Sequence, residues 1–298
     1  MADWRREEFL NTIKAAIPGK QALRQGMRRI KPYQTDPQID NNLFENAIRQ
    51  IEMLRRAGLD VRGRRVLEIG SGWHPILPVV FIASGAESVA LTDVERLLDL
   101  RLIRSAIQFV LTKRELLAER VGADRFDRLE VDDTNLITQL NRLGLTYQVP
   151  YRTSDTPDAA MDLIVSCSVL EHISPKLLEA MMSDFWRILA PGGAMVHFVD
   201  CSDHRAMSDK SLSRCDFLRY EDRVWRLLCL NPQSYHNRLR HSDLKAVLQK
   251  AGFEIRAEWR ETRSRELEEL STIPLAKRFR SRNLEDLAAI SSHFVACV

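Results

Sequence analysis

Two glycines and two acidic residues form the part of the sequence best suited to binding a ligand. Glu68, Gly70 and Gly72 stand at alternate positions, and Asp93 follows twenty-one residues after Gly72. Glycine has no Cβ, so a turn built from it lets the backbone pass close to a ligand. A carboxylate can accept hydrogen bonds from both hydroxyls of a ribose, a charge-assisted and geometrically selective pairing. The spacing therefore predicts a site for a ligand that contains a ribose.

The segments around these residues predict the elements that position them. The apolar run Val66–Ile69 is typical of a buried parallel strand, and Ser88–Thr92 predicts the next strand, with Asp93 at its end. Between the two strands, Pro75 suits the first turn of a helix. Open α/β sheets bind ligands outside the carboxyl ends of their strands. The glycine turn and Asp93 are both expected at that edge.

Strand and helix patterns alternate along the chain to residue 200. This alternation predicts a parallel sheet with right-handed crossovers. The predicted elements are helices at 4–17 and 38–57, helical patterning after Asp93 to about residue 120, a helix starting at Asp132-Asp133-Thr134, a third strand at Thr146–Tyr151, a fourth at Met161–Cys167, a helix capped by Ser174, a fifth strand at Ala194–Val199, a helix capped by Ser242, a strand at Phe253–Trp259, a helical stretch at 261–270 and a last strand at Ser292–Cys297.

The glycine turn itself narrows the class of ligand. A dinucleotide site needs a third glycine, so that a helix N-terminus can meet the pyrophosphate. Here the turn continues as Trp73-His74-Pro75, and the next glycine is Gly85. A bulky turn suits a ligand without phosphates. Glu68 also favours a ligand without phosphates, because its carboxylate would repel a pyrophosphate and tolerate a cation.

Four motifs in order resemble those of the class I S-adenosylmethionine (SAM) methyltransferases. They are Glu68-x-Gly70-x-Gly72, Asp93, the segment from Met161-Asp162-Leu163-Ile164 to Leu170-Glu171-His172-Ile173, and Trp186-Arg187-Ile188-Leu189-Ala190-Pro191-Gly192-Gly193. The resemblance covers about residues 64–200, and the strand–helix–strand ending matches the hairpin that closes their sheet. It implies an α/β, Rossmann-like fold with a seven-stranded, mostly parallel sheet whose last strand is antiparallel.

The same resemblance implies S-adenosyl-L-methionine as the cofactor. Asp155 is the nearest carboxylate to the position that contacts the adenine amine, with Asp132 and Asp133 as rivals. A NAD-dependent oxidoreductase and a SAM-binding scaffold without activity remain alternatives. The predicted cofactor-binding residues are Glu68, Gly70, Ser71, Gly72, Asp93, Val94, Asp155 and Ser166.

Methyl transfer to a hydroxyl needs a base, and histidines are the natural candidates. His172 follows the fourth strand and His204 follows the fifth, so both are expected at the edge that holds Gly70 and Asp93. We predict that one of them is the catalytic base. For each, the alternative is a loop histidine with a purely structural hydrogen bond.

A looser resemblance extends over residues 200–243, to bacterial methyltransferases associated with surface polysaccharide synthesis. It makes Tyr235, Asn237 and Arg238 candidate substrate-binding residues, although Asn237 and Arg238 could equally pin the loop to the core. A saccharide or other small hydroxylated acceptor is expected, with N- or C-methylation of another small molecule as the alternative. We divide the chain into a helical cap, 1–60, and a methyltransferase domain, 61–298, in which 200–243 binds the acceptor.

Composition argues against several other classes of protein. The chain has 298 residues, 45% hydrophobic and 29% charged, and its net charge is +3 without a basic stripe. These values are typical of a globular protein whose main partner is not a nucleic acid. The five cysteines have no metal-binding spacing, so no metal is predicted and a reducing, cytoplasmic setting is expected. No signal peptide and no apolar run of about 18 residues is present to cross a membrane. The oligomeric state is left open.

Overall fold

The protein is described by a computed structural model over residues 35–131, 135–229 and 235–298. Its centre is one seven-stranded sheet in the order β3-β2-β1-β4-β5-β7-β6. Strands β1 to β5 pair in parallel, whereas β7 runs antiparallel to both of its neighbours. The strands are β1 (Arg65–Ile69), β2 (Ser88–Thr92), β3 (Leu145–Gln148), β4 (Met161–Cys167), β5 (Leu189–Asp200), β6 (Glu254–Thr262) and β7 (Ala289–Cys297). The predicted fold class is confirmed.

Helices cover both faces of this sheet. One apolar cluster joins the helix at 37–56 to the two helices that follow β1 and β2. The other cluster lies on the opposite face, around the helices that follow β4 and precede β6. The described helices are α1 (Pro37–Arg56), α2 (Ile76–Ala83), α3 (Leu100–Thr112), α4 (Arg114–Val121), α5 (Leu136–Leu143), α6 (Pro175–Ile188), α7 (Arg205–Ser208), α8 (Asp222–Leu228), α9 (His241–Lys250), α10 (Ser264–Thr272) and α11 (Leu284–Leu287).

The part of the predicted cap that the structure describes belongs to the main core. Phe44, Ile48 and Ile51 of α1 are buried in the same cluster as β1 and α2. The predicted helix at 4–17 lies outside the described residues. Within the described ranges, no helix is long and apolar enough to pass through a lipid bilayer.

Several predicted boundaries are wrong on the first half of the sheet, each for a local reason. β3 ends at Gln148 rather than Tyr151, since Pro150 has no N–H to donate to a neighbouring strand. The helix after Asp93 starts only at Leu100, because the carboxylate of Asp99 caps it by accepting from two backbone N–H groups.

On the second half, Ser242 is not a helix cap. Helix α9 starts one residue earlier, with Arg240 as its N-cap, and the Ser242 hydroxyl instead donates to Asp286. The helical stretch predicted from 261 begins at Ser264, because β6 pairs with β7 as far as Thr262. The helix start predicted at 132–134 lies outside the described residues, and α5 is capped by Asn135.

Candidate active site

The glycine turn after β1 lies where β1, β2 and β4 end. Gly70 and Gly72 both have positive φ, +74° and +59°. The N–H groups of Gly70 and Ser71 donate to the carbonyl of Thr92, which ties the turn to the end of β2. A Cβ on Gly70 would lie 2.6 Å from Cγ2 of Val169, whereas a Cβ on Gly72 would meet nothing within 4 Å. The first glycine therefore allows close packing, and the second leaves open space beside the turn.

Asp93 faces this turn from the end of β2. Its Oδ2 accepts from the N–H of Gly72 at 2.9 Å, and its Oδ1 accepts from the N–H of Val94 at 2.7 Å. The N–H of Glu95 also donates to Oδ1, at 3.3 Å. A carboxylate offers about four acceptor sites, so Oδ2 keeps capacity for a ligand hydroxyl. The apolar side chain of Val94 is 77% exposed beside it. This end of β2 thus presents a hydrogen-bond acceptor, the Asp93 carboxylate, next to an apolar surface.

Glu68 lies beneath the turn and is only 5% exposed. The Ser71 hydroxyl donates to its Oε2 at 2.7 Å. Burial raises the pKa of Glu68 to about 7, the Ser71 hydrogen bond opposes this rise, and the negative charge of Asp93 adds to it. A cation bound near this carboxyl would favour its ionised form.

The two remaining predicted cofactor contacts, Asp155 and Ser166, differ in their exposure. Asp155 ends a short 3₁₀ helix, Thr153–Asp155, on the segment that leaves the site beside Asp93, where the Tyr151 N–H donates to the Asp93 carbonyl. Its side chain is exposed, so contact with an adenine stays a prediction. Ser166 is 0% exposed and its hydroxyl bonds to Nδ1 of His197 at 2.8 Å. The prediction for Ser166 is not supported, because its hydroxyl is turned into the core.

Three histidines meet where β4 and β5 end. His172 closes a 3₁₀ turn after β4, His204 follows β5, and His236 lies in the loop before α9. Nε2 of His236 is 2.7 Å from Nδ1 of His204, and one ring nitrogen from each of the three lies within 4.8 Å of the others. We call these residues the histidine cluster. The structure therefore brings together the two predicted bases and adds a third imidazole that the sequence analysis did not single out.

Polar groups fix the outer sides of two of these rings. Nδ1 of His172 is 2.9 Å from the carbonyl oxygen of Tyr235. Nε2 of His204 is 3.3 Å from Oδ2 of Asp200, the last residue of β5. The carbonyl can only accept, so its contact places the ring proton of His172 on Nδ1, whereas Nε2 of His204 lies within ion-pair distance of Asp200.

Burial favours the neutral form of two rings of the cluster, those of His236 and His172. Burial lowers the pKa of His236 to about 2, and the nearby His204 and His172 lower it further. Burial also lowers the pKa of His172, against the opposing effect of the Tyr235 carbonyl. For Asp200, burial alone would raise the pKa, but hydrogen bonds from His204 and Ser202 outweigh it and hold the pKa below its ordinary value.

A second carboxyl group lies close to Asp200. Glu171 is 3% exposed, and its two carboxyl oxygens have no hydrogen-bond partner among the residues that the structure describes. Burial raises the pKa of Glu171 well above its ordinary value, and the charge of Asp200 raises it further. The pKa of Glu171 is therefore raised and that of Asp200 lowered, so Glu171 is the weaker acid of the pair.

The predicted substrate-binding residues have contacts that point to support of the loop. The Nδ2 of Asn237 donates to the carbonyls of Leu170 and Ile173, and its own N–H donates to the carbonyl of Glu171. The buried guanidinium of Arg238 donates to two backbone carbonyls and to Asp222. Both side chains pin the loop to the core, the alternative that the sequence had left open.

A polar cavity of about 190 Å³ opens beside the cluster, and Asp200, which lies 3.3 Å from His204, forms part of its wall. Its wall carries charges of both signs. Glu266 in this wall is 3% exposed, and its Oε2 has no hydrogen-bond partner within the described ranges. The lining residues are Asp200, Ser202, Asp203, Ala206, Met207, Lys210, Leu212, Arg214, Arg265, Glu266 and Glu269.

Comparison with known proteins identifies the class. A family model described as a methyltransferase domain matches residues 41–258, nearly three quarters of the chain, and the protein belongs to this family. It is accordingly an enzyme that uses S-adenosylmethionine. This membership leaves the alternative of a NAD-dependent oxidoreductase without support.

Solved structures show similarity in fold. An S-adenosylmethionine dependent methyltransferase from Mesorhizobium loti is 13% identical with a TM-score of 0.42, over 83% of this chain and 96% of that one. Phosphoethanolamine N-methyltransferase 2 from Haemonchus contortus, in complex with S-adenosyl-L-methionine, is 18% identical with a TM-score of 0.43, over 84% of this chain and 52% of that one. No curated protein matches the chain. None of these comparisons bears on the acceptor.

Proposed function

We propose that this enzyme transfers a methyl group from S-adenosylmethionine to a hydroxyl group of a saccharide or another small polar molecule. The observation that carries the proposal is the histidine cluster with Asp200, at the sheet edge that also holds the glycine turn and Asp93. When bound, the cofactor supplies an electrophilic methyl group on a sulfonium and leaves as a neutral thioether. All remaining tasks fall to the protein: binding, orientation and handling of the acceptor proton.

The residues at the glycine turn fit the cofactor. Oδ2 of Asp93 keeps acceptor capacity for one ribose hydroxyl, and a second hydroxyl can replace the long 3.3 Å bond from the Glu95 N–H at Oδ1. The exposed side chain of Val94 offers an apolar surface beside them. Open space at Gly72 allows the backbone to approach a ligand closely. The carboxyl of Glu68 ionises near pH 7 and then attracts the positive charges of the cofactor. Asp155 is proposed as the contact to the adenine amine.

The histidine cluster supplies what a hydroxyl acceptor requires. The hydroxyl proton is held firmly at neutral pH, and a base that removes it as the methyl group arrives typically accelerates transfer by about 10²–10⁴. His172 has its proton fixed on Nδ1 by the Tyr235 carbonyl, which leaves Nε2 with a lone pair. Both nitrogens of His204 already contact His236 and Asp200. In the metal-free protein we therefore assign the base to His172, with His204 orienting the cluster.

The polar cavity suits an acceptor with many hydroxyl groups. Glu266 offers a buried carboxyl oxygen to which no described residue donates, and Arg214 and Arg265 offer donors from the same wall. Saccharide hydroxyls can both donate and accept, so they match walls of mixed charge. Because Asp200 lines the cavity and lies 3.3 Å from His204, we infer that an acceptor held there has a hydroxyl group close to the imidazoles.

The proposal is tested by methyl transfer with labelled S-adenosylmethionine and a panel of saccharides and polyols, with the labelled product identified by mass. We expect a methyl ether. His172→Ala and His204→Ala should each lower turnover by about a hundredfold or more while cofactor affinity changes little. His241→Gln, outside the cluster, is the matched control and should retain turnover. A label found on nitrogen or carbon, or near-normal turnover in both cluster variants, would overturn the proposal.

A further inference from the structure

Three imidazoles from separate parts of the chain converge at one point of the sheet edge. A ring nitrogen from each of His172, His204 and His236 lies within 4.8 Å of the other two. Neutral imidazole nitrogen suits zinc, iron, nickel and copper ions. Three histidines with an open fourth position form the ligand set of one kind of catalytic zinc site. We propose that the histidine cluster binds one divalent transition-metal ion such as Zn²⁺.

The hydrogen bonds on the outer sides of the rings support this assignment. The Tyr235 carbonyl, 2.9 Å from Nδ1 of His172, fixes the tautomer whose other nitrogen is free to bind an ion. The Asp200 carboxylate lies 3.3 Å from Nε2 of His204, while Nδ1 of that ring faces the cluster. Metal-binding histidines almost always donate their second N–H to a carbonyl, a carboxylate or water. His172 already has such a partner, and for His204 a carboxylate lies within ion-pair distance.

The inner nitrogens lie close to the spacing that an ion requires. Nδ1 of His204 and Nε2 of His236 are 2.7 Å apart. Two nitrogens bound tetrahedrally to Zn²⁺ lie about 3.3 Å apart, from bond lengths of about 2.05 Å. Binding must open this pair by about 0.6 Å and draw the widest pair together. On binding, the nitrogen that carries the proton shared by His204 and His236 gives it up and the ring is protonated on its other nitrogen, since a ligand nitrogen must be unprotonated while the imidazole stays neutral.

The surroundings also fit a dication. Asp200 lies against His204 and brings a negative charge to the edge of the cluster without occupying an inner position. A carboxylate placed in this way raises the basicity of its histidine and orients the ring. His172 and His204 are only partly buried, so an ion and an acceptor can both enter.

Metal binding is independent of the proposed function, but its chemical role rests on that function. An acceptor hydroxyl that takes the fourth position loses its proton to solvent, because a bound dication lowers the pKa of the hydroxyl. The resulting alkoxide oxygen then forms a bond to the methyl carbon as the carbon–sulfur bond breaks. In the metal-bound enzyme His172, His204 and His236 remain ligands, and none of them acts as the base.

The test uses the full chain after chelator treatment, without cofactor or acceptor, and adds Zn²⁺ or Co²⁺ alone. We expect about one ion per chain after desalting, and a visible Co²⁺ spectrum of a tetrahedral, nitrogen-rich site. His172→Ala and His236→Ala should weaken affinity by about a hundredfold or more, and Asp200→Asn by about 10–100-fold. His241→Gln is the matched control and should bind as the parent does. Circular dichroism and thermal melting verify that each variant is folded.

Several results would overturn the inference. They are failure of the parent to retain either ion, retention unchanged in both histidine variants, or equal loss in His241→Gln. If His236→Ala does not fold, the affinity of Asp200→Asn for the ion tests the inference instead, because this substitution removes no ligand and no buried ring. An enzyme that binds the ion but methylates no hydroxyl keeps the metal site and refutes the proposed function. An enzyme that methylates a hydroxyl without binding the ion refutes only the metal site.

Discussion

Replacing Glu68 by glutamine should stabilise the protein in a way that depends on pH. Glu68 is buried beneath the glycine turn, and burial is the main cause that raises its pKa from the ordinary 4.5 to about 7. Glutamine has nearly the same shape and can still accept from the Ser71 hydroxyl through its amide oxygen. The substitution therefore removes the buried charge and retains the packing.

The size and sign of the effect follow from the two pKa values. Below about pH 4.5 the carboxyl is protonated in the folded and the unfolded protein, so it contributes no difference. Between about pH 4.5 and 7 the unfolded state ionises first, and the free energy of unfolding falls as the pH rises. Above about pH 7 the loss is complete and amounts to about 3 kcal/mol, since one pKa unit corresponds to about 1.4 kcal/mol. The free energy of unfolding of Glu68→Gln should not fall in this way, because the variant has no carboxyl group at this position.

Urea unfolding at pH 4.5, 6 and 8, without cofactor, measures the effect. We expect the variant to match the parent at about pH 4.5 and to exceed it by about 3 kcal/mol at pH 8. Glu87→Gln, an exposed change of the same type, should show no such trend. The stabilised variant should bind S-adenosylmethionine more weakly at pH 8, because it has lost a negative charge beside the cofactor. A difference in unfolding free energy that is independent of pH, or that decreases with pH, would refute the reasoning.

Three further substitutions test the rest of the site. Asp93→Ala removes the acceptor for the ribose hydroxyls and should lower cofactor affinity at least about tenfold by titration calorimetry, whereas unchanged affinity would reject this role. Gly70→Ala should lower the free energy of unfolding by about 1–3 kcal/mol more than Gly72→Ala, because both have positive φ but only the first brings a Cβ into Val169. Asn237→Ala should cost about 1–3 kcal/mol in urea unfolding, since it removes the amide hydrogen bonds to the carbonyls of Leu170 and Ile173, and a neutral result would mean that water replaces the amide.

The glycine turn and the end of β2, where the cofactor is proposed to bind, could be predicted from sequence because their signals are local. The apolar run before Gly70 and the run before Asp93 each define a strand and its end within a few residues. Parallel strands end at one edge of a sheet, so the end of each strand also locates its ligand-facing residue. The positive φ values at Gly70 and Gly72 confirm that the turn requires glycine.

The acceptor side could not be predicted in the same way. His236 is separated by more than sixty residues from His172 and by thirty-two from His204. No periodic pattern links such positions, and only the folded loop brings the rings together. Ser166 shows a related difficulty, because a residue at a strand end can face the ligand or the core. Its hydroxyl bonds to His197 on the neighbouring strand, which shows that the side chain faces the core.

The loop at 235–240 explains how polar residues outside the histidine cluster determine its geometry. Asn237 ties the loop to the turn that carries His172, and Arg240 donates to carbonyls of Leu287, Ala289 and Cys201. Arg238 has a positive φ of 58°, a conformation that costs a non-glycine residue about 1 kcal/mol or more and that its buried hydrogen bonds hold in place. These bonds join the ends of β4 and β5 to the start of β7. The spacing of the three imidazoles is therefore set by a buried polar network, and substitutions in that network should alter acceptor chemistry more than cofactor binding.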